Sequence, residues 1–156
     1  MTNKYFPEEK ISENDVFFVC SMIERVARKI GHRNKYVVGK MTDDQLWHYL
    51  SLADVLHSEN PSKVQDDWIR ELKLRKGNFD ITVVKKELDV NIPSATQMGA
   101  VYKRLVVSLK KDDENYVQAI RRVYGNKVCR ILDNYNCSAF YEPSYIQRDA
   151  FINGGF

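Results

Sequence analysis

The sequence has few cysteines and no long apolar run, and both absences narrow the class of protein. Cys20, Cys129 and Cys137 are the three cysteines among 156 residues, and no CxxC pair is present. Three widely spaced cysteines are typical of reduced thiols, so we expect a cytoplasmic protein without disulfide bonds. No apolar run approaches the roughly 18 residues of a membrane helix. The first ten residues carry acids and lack the apolar core of a signal peptide, so we expect no membrane attachment.

Glycine-rich loops and metal-binding motifs are also missing. The seven glycines are scattered and form no GxGxxG loop, so we expect no nucleotide cofactor. His48 and His57 lie on one predicted helix at a spacing that points them to opposite sides of it. Neither an HExxH motif nor a cysteine cluster of zinc spacing occurs. The sequence therefore predicts neither a metal site nor a cofactor.

The composition is that of an ordinary soluble domain with a slight excess of positive charge. Hydrophobic residues make up 44% and charged residues 29% of a chain long enough to bury a core. The net charge is +3, and the isoelectric point is about 8.7. That balance permits a nucleic-acid partner but does not argue for one.

Apolar residues recur at helical spacing along most of the chain, which predicts a mainly α fold. We expect a single compact domain over 1–156 with six to eight helices. It consists of a lead-in at 1–10, a three-helix half at 11–77, and a second helical half at 78–156 with an aromatic-rich C-terminus. Helix starts and stops place the helices at about 12–30, 42–59, 62–76, 82–88, 94–109, 113–124, 127–135 and 143–151. Residues 80–89 could form a strand instead, and 36–38 could be a short extended segment.

The stretch 43–69 contains both tryptophans and two of the three histidines, and we expect its helix hairpin to organise the fold. Its spacing WHYL…ADVLH…DDWI resembles an uncharacterised bacterial family of short helical proteins, known only as a domain of unknown function. In that family a helix ends in Leu-His and the next helix carries an Asp-Ile anchor. The matching positions here are Leu50, Leu56, His57, Asp67 and Ile69. The resemblance covers about the first half of the chain and implies an accessory or partner protein rather than an enzyme.

Basic residues cluster between Arg25 and Thr42, where no acid occurs. Acids at helix N-termini and bases at helix C-termini explain most of this clustering, because they complement the helix dipole. Arg33, Lys35 and Lys40 lie beyond the first helix, where the dipole does not account for them. We therefore treat this basic connector as a candidate contact surface.

Residues 82–109 follow the pattern of a helix-turn-helix. A short helix over 82–88 and a turn precede a longer helix that starts at Ser94. The exposed start of that helix would face DNA bases, with phosphate contacts further along it. The candidate DNA-contacting residues are Ser94, Thr96, Gln97, Lys103 and Arg104. An ordinary helix hairpin has the same apolar spacing and is the competing interpretation.

Two small constellations could carry catalysis, although each has a simpler structural explanation. Arg25 and His32 resemble the Arg-x6-His motif of a helical ribonuclease superfamily, in which an arginine and a histidine cleave RNA. Chance matches to this motif are frequent, and Gly31 is expected to end the helix before His32. Asp54 and His57 are spaced to interact on one helix, where an Asp-oriented histidine could act as a general base. A local Asp–His hydrogen bond, or packing of the histidine against the third helix, is the favoured explanation of that pair.

The C-terminal stretch is dense in aromatic residues, which must pack on the core or on a partner. The residues concerned are Tyr135, Phe140, Tyr141, Tyr145, Phe151 and Phe156. The sequence as a whole predicts a non-enzymatic bacterial interaction module with a protein partner or a second copy of itself. A DNA-binding regulator and a ribonuclease-like enzyme are the two alternatives, so a nucleic-acid partner remains possible.

Overall fold

The protein is mainly α-helical, as the sequence predicts. A computed structural model describes residues 2–85 and 91–156, and in this part of the chain no strand is formed beyond one bridge between Thr2 and Lys10. The same residues form nine α-helices and one 3₁₀ turn, Ala139–Tyr141. The helices are α1 (Glu13–Ile30), α2 (Asn34–Lys40), α3 (Asp43–Ser51), α4 (Ala53–Leu56), α5 (Pro61–Glu71), α6 (Ala95–Leu109), α7 (Tyr116–Tyr124), α8 (Cys129–Leu132) and α9 (Ser144–Asn153). None of the helices formed by these residues combines the length and apolar character required to cross a membrane.

Helix α1 is the central element, and its ends are those expected from the sequence. The hydroxyl of Ser12 accepts a hydrogen bond from the backbone N–H of Asp15, and the Asp15 carboxylate accepts one from Ser12 in return. This capping box satisfies backbone donors that the first turn leaves open. Gly31 ends the helix with φ of 71°, a left-handed conformation that glycine adopts without steric cost. Between these ends the apolar stripe of the helix is buried, and it consists of Val16, Val19, Cys20, Ile23, Val26, Ala27 and Ile30.

Helix α6 packs along α1 with very little space between their backbones. A Cβ atom added at Gly99 would lie 2.7 Å from Cα and 2.8 Å from the backbone nitrogen of Ser21. The missing side chain therefore sets the distance between the two helices. On its other side α6 meets α7, where the rings of Tyr102 and Tyr124 stack at 4.4 Å.

The basic connector is helical, and the extended segment considered for 36–38 is not formed. Val37 and Val38 are buried in the core, while Lys35 and Lys40 face solvent. Two adjacent β-branched residues suggested a strand, but tertiary packing outweighs such a local preference. Arg33 is the N-cap of α2, although its side chain makes no capping hydrogen bond.

The predicted second helix is interrupted at Leu52, which divides it into α3 and α4. The side chain of Asn3 donates a hydrogen bond to the carbonyl oxygen of Ser51 at 2.9 Å, and the backbone N–H of Lys4 donates to its hydroxyl at 3.1 Å. The lead-in is thus hydrogen-bonded to the carbonyl oxygen and the hydroxyl of Ser51 at the point where the helix breaks. Tyr5 and His48 also share a hydrogen bond across this contact. The first half consequently has five helices rather than the three predicted.

The second half differs from the sequence prediction mainly in the length of its elements. Residues 82–85 are not helical, so the short helix predicted over 82–88 is absent there, and its remainder lies outside the described residues. The predicted helix at 127–135 is reduced to the single turn of α8. In the aromatic C-terminal stretch Tyr135, Phe140 and Phe151 are buried, and the exposed aromatic residues are Tyr141, Tyr145 and Phe156.

Candidate functional site

A cleft lies between the first half of α1, the α4–α5 segment and the start of α6. Its volume of about 510 Å³ falls in the range of sites that bind small molecules or single protein side chains. We call it the α1–α6 cleft. The residues that line it are Asn14, Asp15, Phe17, Phe18, Ser21, Met22, Arg25, Ala53, Asp54, His57, Glu59, Pro61, Ala95 and Thr96.

The floor of the α1–α6 cleft is apolar. Phe17 and Phe18 line the cleft and are only half-buried. Met22, Ala53 and Pro61 extend the apolar surface across the cleft. Covering such a floor with another apolar group is favourable, by about 25 cal/mol for each Å² of apolar surface removed from water.

Polar groups surround this floor. The Arg25 guanidinium donates to Gln65 Oε1 at 3.2 Å and to Ser62 Oγ at 3.1 Å, so α5 holds it in place. The Asp15 carboxyl is buried, and burial raises its pKa above the ordinary value. The negative charge of Asp54 acts in the same direction. The rim thus combines one fixed cation with carboxylates that lie near one another.

Arg25, Asp54, His57 and Thr96 all line this cleft. The sequence suggests them as parts of three separate sites: the ribonuclease-like pair, the Asp–His pair and the DNA-contacting helix. His32 is not among the residues that line it. Because α1 ends at Gly31, the His32 ring packs against Tyr36 with a centroid distance of 3.8 Å. Its Nε2 atom is buried and has no hydrogen-bond partner in the described part of the chain. The cleft therefore contains the arginine of the ribonuclease-like pair without its histidine.

Asp54 and His57 both line the cleft, as do the hydroxyl-bearing Ser21 and Thr96. No hydrogen bond joins the two side chains in the described structure, where Asp54 is exposed at the start of α4. Ser51 is buried against the lead-in, and the Ser58 hydroxyl donates to the carbonyl of Val55 at 2.8 Å. Neither of these two serines is therefore hydrogen-bonded to the His57 imidazole as a base-activated nucleophile would be.

The candidate DNA-contacting residues have several different roles. Ser94 and Gln97 form the capping box of α6, with hydrogen bonds of 2.7 and 3.0 Å. Thr96 faces the α1–α6 cleft, and Lys103 pairs with Glu13 at 3.6 Å. Arg104 is exposed on the outer side of α6. Ser94, Thr96 and Gln97 are exposed at the start of α6, where a base-reading helix makes its contacts, so the DNA-binding interpretation stays a prediction.

The basic connector lies on α2, away from the cleft. The Arg33 guanidinium stands over the Phe79 ring at 4.3 Å, and the Lys40 ammonium stands over the Tyr36 ring at 5.5 Å. Such cation–π contacts hold basic side chains on the protein's own surface. Lys35 remains exposed.

A buried cluster of carboxylates was not predicted from the sequence. The side-chain amide of Asn34 donates to Glu24 Oε1 at 2.8 Å and to Asp133 Oδ2 at 3.1 Å. The Tyr102 hydroxyl donates to Asp133 Oδ1 at 2.7 Å, and Arg28 lies 3.4 Å from the Glu24 carboxylate. This carboxylate cluster joins α1, α2 and α6 to the end of α8. The one feature of the sequence that points to this cluster is Glu24, a charged residue within the buried apolar stripe of α1.

Burial and mutual repulsion govern the charge of this cluster. Burial raises the pKa of Glu24, whereas the hydrogen bond from Asn34 and the charge of Arg28 lower it. Burial also raises the pKa of Asp133, and the nearby charge of Glu24 raises it further. Two buried carboxyls with one guanidinium therefore favour a state in which one carboxyl keeps its proton.

Comparisons with known proteins give no functional assignment for these sites. Within residues 2–85 and 91–156, no three His, Cys, Asp or Glu side chains are grouped so that they could hold a metal ion. A scan of protein-family models found no match, and searches of curated proteins and of solved structures also found none. The resemblance of the first half to the uncharacterised bacterial family thus stays a prediction from its residues.

Proposed function

We propose that this protein is a non-enzymatic interaction module of the bacterial cytoplasm that binds a partner polypeptide in the α1–α6 cleft. The observation that carries this proposal is the half-exposed apolar floor around Phe17 and Phe18 within a cleft of about 510 Å³. A cleft of that size accommodates one or two large apolar side chains.

The rim of the cleft indicates the chemistry of the partner. Asp54 and Glu59 are exposed carboxylates, of which Glu59 pairs with Lys63 at 3.8 Å, whereas the single arginine of the rim, Arg25, is held by the neutral acceptors of Gln65 and Ser62. A basic side chain of the partner would complement these carboxylates and speed association. We therefore expect a segment in which an apolar or aromatic anchor residue lies next to lysine or arginine.

Selection from a display library of random 12-residue peptides tests this proposal. We expect the enriched peptides to share an apolar anchor beside a basic residue. Thr96→Trp should abolish their binding, because Thr96 is exposed on the first turn of α6 and an indole there fills the cleft. Asp54→Lys should weaken binding severalfold by removing the complementary charge.

Asp44→Lys is the matched control, since Asp44 is an exposed acid on α3 that does not line the cleft. It makes the same charge change and should leave peptide binding unaltered. The proposal fails if no peptide is enriched, or if the enriched peptides bind Thr96→Trp as well as the original protein. Self-association through the cleft would instead appear as a dimer in sedimentation that Thr96→Trp converts to monomer.

A further inference from the structure

A second surface, formed by α6, the 3₁₀ turn and α9, carries basic and aromatic side chains. Two shallow clefts of about 340 and 430 Å³ meet there, and Arg104 lines both of them. Lys103, Tyr145 and Arg148 line the first, whereas Tyr141 lines the second. We call this surface the α6–α9 groove. It is separate from the α1–α6 cleft, with which it shares no lining residue.

The two tyrosines of the groove are exposed and at least one of them is held in place. Tyr141 is 60% exposed and Tyr145 is 64% exposed, although aromatic rings usually lose most of their surface on folding. The Tyr141 hydroxyl donates to the carbonyl of Asn91 at 3.0 Å, and its ring contacts the buried Phe140 at a centroid distance of 4.0 Å. An aromatic ring that is held at its edge and whose face is exposed can stack with another planar group.

The charge of the groove is positive. Among the described residues that line it are three cations, Lys103, Arg104 and Arg148, and one acid, Glu13, which pairs with Lys103. The Arg148 guanidinium also donates to the carbonyl of Ser108 at 3.4 Å, which fixes this arginine across α6 and α9. Asp149 follows on α9 but does not line either cleft. The groove therefore combines phosphate-binding side chains with stacking surfaces.

We propose that the α6–α9 groove binds single-stranded nucleic acid. Arg104 and Arg148 contact backbone phosphates, and unpaired bases stack on Tyr141 and Tyr145. Stacking requires bases that are not engaged in a duplex, so the arrangement favours single strands over double-stranded DNA. This use of α6 differs from a helix-turn-helix, because the contacts come from the middle of α6 and from α9 rather than from a helix start.

Fluorescence anisotropy with labelled 12-nucleotide oligo(dT), oligo(U) and a 12-base-pair DNA duplex tests the proposal. At 50 mM salt we expect both single strands to bind more tightly than the duplex. Two or three phosphate contacts should lower the affinity about tenfold between 50 and 200 mM salt, through counterion release. The ratio of the two single-strand affinities distinguishes DNA from RNA as the natural ligand.

Paired variants test the roles of the side chains. Arg104→Glu with Arg148→Glu should reduce single-strand binding at least tenfold. The matched control Arg75→Glu with Lys76→Glu changes two exposed bases outside the groove and should have less than a twofold effect. Tyr145→Ala should weaken binding about fivefold or more, whereas Tyr145→Phe keeps the ring and should bind as the original protein does. Circular dichroism checks that each variant is folded.

Three results would each overturn the proposal. The first is the absence of any anisotropy change with either single strand at 50 mM salt, which would leave a protein partner as the occupant of this surface. The second is equal or tighter binding of the duplex. The third is a loss of affinity in the Arg75 and Lys76 control that equals the loss in the groove variant.

Discussion

Asp133 connects three parts of the fold through one carboxyl group. It follows α8, receives hydrogen bonds from Tyr102 on α6 and Asn34 on α2, and lies near Glu24 on α1. Because burial and the Glu24 charge raise its pKa to about 8, the folded protein holds a proton that the unfolded chain releases near pH 4. The positive charge of Arg33 opposes this shift only in part.

This proton gives stability a pH dependence whose sign follows from the raised pKa. Between about pH 4 and pH 8 the folded state binds more protons than the unfolded state, so the free energy of unfolding falls as pH rises. The slope from one such group approaches about 1.4 kcal/mol per pH unit. We expect Asp133→Asn to flatten this slope in urea unfolding measured at several pH values.

Asp113→Asn is the control for that measurement, because Asp113 is an exposed carboxylate ahead of α7. Its pH slope should match that of the original protein. A slope for Asp133→Asn as steep as that of the original protein would show that Asp133 releases its proton at an ordinary pH in the folded state.

At the scale of elements, the close approach of α1 and α6 depends on Gly99. Gly99→Ala places a Cβ against the backbone of Ser21, so the two helices must separate. We expect this variant to lose about 1–3 kcal/mol of stability, the usual cost of overpacking a core. Thermal or urea unfolding measures the loss.

Gly39 provides the matched comparison on α2. A Cβ atom there would meet no atom within 4 Å, and its backbone is helical. Gly39→Ala should therefore raise stability by about 0.5–1 kcal/mol, because alanine loses less backbone entropy than glycine. If Gly99→Ala is as stable as Gly39→Ala, the tight α1–α6 contact is not present in solution.

The ends of several helices could be predicted from the sequence because short-range hydrogen bonds determine them. Ser12, Thr42 and Ser94 are N-caps as expected, and each accepts a hydrogen bond from a backbone N–H three residues later. The break at Leu52 could not be predicted in this way. It coincides with hydrogen bonds from Asn3 and Lys4 to Ser51, which lie almost fifty positions apart in the chain.

At the scale of the whole molecule, both candidate surfaces and the carboxylate cluster are assembled from distant segments. Arg25, Asp54 and Thr96 were each recognisable as candidates, but only the packing of α1, α4 and α6 brings them into one cleft. Glu24, a charged residue within an apolar stripe, is the single indication of the carboxylate cluster in the sequence. Its partner Asp133 lies more than a hundred residues away, beyond the range of any local pattern.

The proposed function depends on the α1–α6 cleft being the surface that contacts a partner. Titration of the ¹⁵N-labelled protein with a peptide selected for binding, followed by amide chemical shifts, tests this claim most directly. We predict that the largest shifts lie at the cleft, near Phe18, Arg25, Asp54 and Thr96, and that Thr96→Trp removes them. Shifts centred on the α6–α9 groove or on α2, with the cleft signals unchanged, would contradict it.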